Sequence, residues 1–154
     1  MKRTILLLLL LCLTALCLTG CRLDAAPAAD PSPSPANMAL ADYLASVEAQ
    51  AGAIRAALEQ DALTQADMNQ KSGELSALWD AAMSRMLEEA EKTLPTAEMQ
   101  QLTVSQNAWL AARAQSVEAA GKEFDGGSMY ALVVNTESAK LTEARVHELY
   151  ALLK

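Results

Sequence analysis

Hydrophobic positions from Met38 onward recur every three to four residues and never alternate with period two for long, which predicts helices and no strands. A first helix is expected from about Met38 to Gln60, capped by Asn37, with Leu40, Tyr43, Leu44, Val47, Ile54 and Leu58 near helical spacing. Gly52 weakens it by about 1 kcal/mol relative to alanine. A second helix is expected from Thr64, where Thr64 and Asp67 have the spacing of a capping box, to Leu94. Its stripe is Met68, Leu75, Trp79, Met83, Met86 and Ala90, widened by Leu78, Ala82 and Leu87. Pro95 forbids continuation.

Thr96 is expected to cap a third helix running to about Lys122, with Met99, Leu102, Gln106, Trp109, Arg113, Val117 and Ala120 on one face. Gly121 or the pair Gly126 and Gly127 ends it, and Ser128 is expected to cap a fourth helix to Leu153. The apolar positions of that helix are Met129, Leu132, Val133, Thr136, Val146, Tyr150 and Leu153, interrupted by Lys140 and Glu143. Such runs are about 35 to 45 Å long, and connections this short force neighbours to run antiparallel. The predicted fold is all-α, an antiparallel up-and-down bundle of three to four helices forming one domain over residues 38–154.

The pattern before Met38 is different. Lys2 and Arg3 precede an apolar run from Ile5 to Leu18, which is too short to span a bilayer and reads as an export signal over residues 1–20. Leu18, Thr19, Gly20 and Cys21 resemble the lipobox of bacterial lipoproteins. That resemblance implies cleavage before Cys21, lipidation of its thiol, and a protein anchored to the outer side of a bacterial membrane, in the cell envelope. Residues 21–37 are the lipidated cysteine and a spacer rich in Ala, Pro and Ser, in which Pro31, Pro33 and Pro35 favour an extended chain.

Charge and cysteine narrow the function. Removing the signal takes Lys2 and Arg3 from the 12 basic residues, leaving 10 against 19 acidic ones, a net of −9. This balance argues against nucleic acid and favours a basic partner. Cys12, Cys17 and Cys21 all lie in the signal or at its cleavage site, so the exported domain has neither disulfide nor thiolate. His147 is the only histidine, with no nucleophile motif nearby and no repeated Glu-x-x-His pair. Catalysis, a metal, a cofactor and a small-molecule substrate are therefore not expected.

From Thr64 onward the chain resembles the LprI-type lysozyme inhibitor domain. The resemblance rests on Thr64, Gln65, Met68 and Asn69, on Asp80 and Met83, and on Gln106, Ala108, Trp109 and Arg113. It resumes with Gly126, Gly127, Ser128 and Met129 and with Leu141, Thr142 and Arg145. The family usually has cysteines near the positions of Lys71, Val117 and Glu137, and an Asn and a Tyr where Ser84 and Leu87 stand here. The resemblance implies a helical module that binds, and in the stronger reading inhibits, a lysozyme or muramidase. The alternative is a non-inhibitory structural or adaptor lipoprotein that binds an envelope protein or itself.

Among the motif residues, Asp80, Trp109, Arg113, Gly126, Gly127, Ser128 and Arg145 are read as structural. Trp79 and Trp109 are expected in the core, and Arg113 is expected to pair with Asp80 or Glu137 or to stack on Trp109. The candidate partner contacts are Phe124 and Asp125 in the loop and the acidic group Glu88, Glu89 and Glu91. The bland alternatives are a Phe124 tucked under its own hairpin and a merely solvated acidic face.

Overall fold

Four α-helices follow one another in the computed structural model, which describes residues 38–60 and 62–154. They are α1 (Leu40–Leu58), α2 (Gln65–Thr93), α3 (Thr96–Gly121) and α4 (Tyr130–Leu153), with one 3-10 turn (Lys122–Phe124) after α3. No strand occurs among the described residues, and the fold is the all-α bundle that the periodicity predicts. The signal segment, Cys21, the spacer and Asn37 lie outside the described residues. No helix among the described residues is long and apolar enough to cross a membrane.

The helix ends follow local chemistry. At the head of α2 the capping box is complete: Asp67 N–H donates to Thr64 Oγ1 at 3.2 Å and Thr64 N–H donates to Asp67 Oδ2 at 3.0 Å. Leu94, extended at φ −80° and ψ 143°, ends α2, as the residue before a proline favours. Three predicted ends are corrected. Helix α1 is shorter than Met38–Gln60: Ala39, at φ −56° and ψ 147°, lies outside the helical region, so the first helical residue is Leu40, and at the other end Gln60 N–H turns to the Ala57 carbonyl at 3.3 Å, three residues back instead of four.

Thr96 does not cap α3; Pro95 holds the cap position with its fixed φ of −58°, and its carbonyl accepts from Met99 N–H at 3.0 Å. Ser128 does not cap α4 either. A tight turn runs through it, with Tyr130 N–H donating to the Gly127 carbonyl at 3.2 Å, so that Met129 becomes the cap residue with no side-chain bond. Met129 also leaves the predicted apolar stripe, being 44% exposed.

Chain neighbours are antiparallel, yet the most intimate pair is α2 with α4, which run parallel. Asn69, Ser72, Ser76 and Asp80 on α2 meet Ser128, Asn135, Ser138 and Thr142 in rising order along the chain entering α4. Small residues on this seam, Ser72, Gly73, Ser76 and Ala139, let the two backbones approach, and Ser72 and Thr142 are buried there with their hydroxyls donating to the Asn69 and Ser138 carbonyls. Helices α1 and α3 lie against this pair.

Leu44, Val47 and Ala51 of α1 join Leu75, Trp79, Ala82, Met83, Met86 and Ala90 of α2 and Ala139, Val146 and Leu149 of α4 in one buried core. From α3, Leu102 alone joins it as a buried hydrophobic residue, and most of that helix remains exposed. Trp79 is fully buried as expected, whereas Trp109 is half-buried at the edge of the core.

Candidate functional site

Arg113 sits where α3 crosses the α2–α4 seam. Its Nη2 donates to Asp80 Oδ1 of α2 at 2.7 Å and to Ser138 Oγ of α4, while Thr142 Oγ1 also approaches Asp80 Oδ1 at 3.3 Å. One guanidinium thus ties three helices through charge-assisted bonds. Of the partners that the sequence left open, Asp80 and Trp109 are both used: Arg113 lies 5.7 Å from the Trp109 ring centre, and Glu137 instead faces Lys140 on its own helix at 3.2 Å.

A second arginine completes the arrangement. Arg145 of α4 donates to Gln106 Oε1 at 2.9 Å and to Ser105 Oγ at 3.1 Å, pairs with Glu148 at 2.9 Å, and lies 5.9 Å from the same indole. The Trp109 ring is therefore flanked by two cations, and its packing fixes their stems as much as their charge. Asp80, Trp109, Arg113 and Arg145, scattered over 66 residues of sequence, form one cross-link inside the bundle.

The glycine motif builds the other feature. Gly126 takes φ +70°, which an L side chain adopts only at a cost, and Gly127 N–H donates to the Phe124 carbonyl at 2.9 Å. The Ser128 carbonyl accepts from Asn69 Nδ2 at 2.9 Å and pins this turn to the head of α2. Phe124 is half-buried at the turn, while Asp125 is exposed.

Glu88, Glu89 and Glu91 lie near the other end of α2. Nineteen residues separate Glu88 from Asn69, about 28 Å along the helix, so the two groups of candidate contacts do not meet. Glu89 is partly neutralised by Lys92 at 3.7 Å and Arg85 at 4.0 Å, whereas Glu88 and Glu91 are exposed and in no ion pair among the described residues.

Between the end of α3 and the start of α4 lies an open notch of about 500 Å³, lined by Gln115, Glu118, Ala119, Lys122, Asp125 and Tyr130. The sequence reasoning missed Tyr130 and Glu118. The available signal was Gly121, a glycine inside a helix just before the turn. Among the described residues no group of three His, Cys, Asp or Glu side chains is placed to hold a metal ion. His147 packs against Trp79 at 5.9 Å between ring centres and lies 3.8 Å from Glu48 of α1.

Comparison with known protein families gives one match, to the family described as lysozyme inhibitor LprI, over residues 56–149. The matched segment takes in α2, α3, the glycine turn and most of α4, but only the last turn of α1. No curated protein and no solved structure matches the chain.

Proposed function

The chain belongs to the LprI lysozyme inhibitor family, and on that premise we propose that it is a surface-tethered lipoprotein whose helical domain binds a lysozyme or related muramidase and occludes its cleft. The family match over residues 56–149 is the observation that carries this reading. The physical chemistry agrees with it. The protein from Cys21 onward has a net charge of −9, which would steer a basic enzyme toward it. The motif residues Asp80, Trp109, Arg113 and Arg145 are engaged in holding α2, α3 and α4 together, which supports reading the domain as a binding body.

Cys21 supplies the anchor to the cell envelope in this reading. The test is inhibition of cell-wall clearing by lysozyme at increasing concentrations of the protein, alongside direct binding. Saturable inhibition supports the proposal, and binding to no lysozyme contradicts it.

One observation favours the second reading, a non-inhibitory adaptor that binds an envelope protein or itself. The outer side of α3 leaves Val104 72% and Leu110 41% exposed, on a helix with no charged residue between Glu98 and Arg113. Sedimentation of wild type against Val104→Glu separates the two, since self-association through this face would be lost in the variant while lysozyme binding elsewhere would persist.

A further inference from the structure

The notch beside the glycine turn has features of a docking surface that the family match does not assign. Its wall is the Tyr130 ring, 40% exposed as a residue. Gly121 makes that wall possible: a Cβ there would come within 2.8 Å of Tyr130 Cε2 and 2.6 Å of Val134 Cγ1. The missing side chain therefore lets the ring lie across the end of α3. Met129 beside it is 44% exposed, so two large side chains stand in solvent at a turn that Gly126 and the Asn69 bond hold in place. On the rim, Glu118 and Asp125 are exposed and form no ion pair among the described residues.

We propose that this notch receives an arginine or lysine side chain of the protein partner, its charge over the Tyr130 ring and between the carboxylates of Glu118 and Asp125. The inference rests on the lysozyme-binding reading for the identity of the partner, but the recognition itself is general. A cation is attracted to the face of an aromatic ring, and a carboxylate at the rim adds a charge-assisted bond that excludes neutral side chains. Charge complementarity thus selects a basic protein segment. Lys122 is the only cation on the notch and opposes the same occupant.

The mature lipoprotein in uncharged detergent micelles is titrated with a tri-arginine peptide and, separately, with lysozyme, by calorimetry. Tyr130→Ala and the double variant Glu118→Gln with Asp125→Asn should each raise the peptide Kd about tenfold, and Lys122→Gln should lower it about two- to threefold. Glu88→Gln with Glu91→Gln changes the net charge equally at the far end and should shift it less than about twofold. Far-ultraviolet circular dichroism confirms that each variant is folded.

Equal loss from the notch and far-end variants, or no peptide binding at all, overturns the notch. Lysozyme bound equally by wild type and notch variants overturns the notch as its docking surface and leaves the lysozyme reading standing. Peptide binding that depends on the notch, with no lysozyme bound, keeps the cation site and removes lysozyme as the partner.

Discussion

Arg113 Nη2 lies 2.7 Å from Asp80 Oδ1, joining α3 to the middle of α2, and the same nitrogen reaches Ser138 of α4. Most of α3 is exposed and it contributes a single buried hydrophobic residue, so this cross-link stands with the Arg145 bonds and the Trp109 packing among the contacts that hold it in place. Asp80→Ala should leave the guanidinium without its charge partner and destabilise the fold by about 1 to 2 kcal/mol, the modest figure reflecting the 43% exposure of the Asp80 side chain. Urea denaturation of Asp80→Ala, Arg113→Ala and the double variant checks it. Additive losses would contradict a direct pairing.

The two tryptophans should separate by burial. Trp79 is fully enclosed, and Trp79→Ala should cost about 3 to 5 kcal/mol through the cavity it leaves. Trp109 is only half-buried, so Trp109→Ala should cost less, about 1 to 2 kcal/mol from lost apolar contact and the two cation contacts. Thermal melts of the two variants decide this, and equal losses would place Trp109 in the core.

The Thr64 hydroxyl and backbone N–H hold the Asp67 carboxyl below its ordinary range, and Lys71 and Gln70 do the same for Glu74. Lowered folded-state pKa values mean stability that is present above the ordinary carboxylate range and lost as pH falls through the folded values. Denaturation midpoints should therefore drop below about pH 4, and Asp67→Asn should make that drop shallower. Thr64→Ala should cost about 1 kcal/mol by removing the cap.

Gly126 carries the one left-handed backbone conformation among the described residues, at φ +70°, with nothing within 4 Å of where a Cβ would stand. Gly126→Ala should therefore cost about 1 to 2 kcal/mol from backbone strain alone. Gly126→Asn should cost less, since asparagine tolerates this region. Chemical denaturation of the two variants tests the order.

Legibility in the sequence followed the range of the interaction. The Thr64–Asp67 box and the stop at Pro95 are local and could be read directly, and the helical stripes fixed the bundle. The Asp80–Arg113 pair could be narrowed to two acids, because Arg113 lies on the inner side of its helix. The parallel contact of α2 with α4 could not be read: periodicity shows which face is apolar, but the closeness of this pair depends on small residues, Ser72, Gly73, Ser76 and Ala139, at contacts whose partners are 62 and 63 positions apart in sequence. The failed caps at Thr96 and Ser128 have the same lesson on a smaller scale, since a proline and a tight turn decided the geometry before a hydroxyl could. The notch was invisible because Tyr130 becomes its wall only through the absent side chain of Gly121.

We propose that this acidic bundle blocks a lysozyme. The most direct test is to titrate the mature protein into lysozyme at low and high salt while following both cell-wall clearing and complex formation. Saturable inhibition that tracks complex formation and weakens as salt screens the charges is the expected result. A complex that leaves clearing untouched, or no complex with any lysozyme tried, would contradict it.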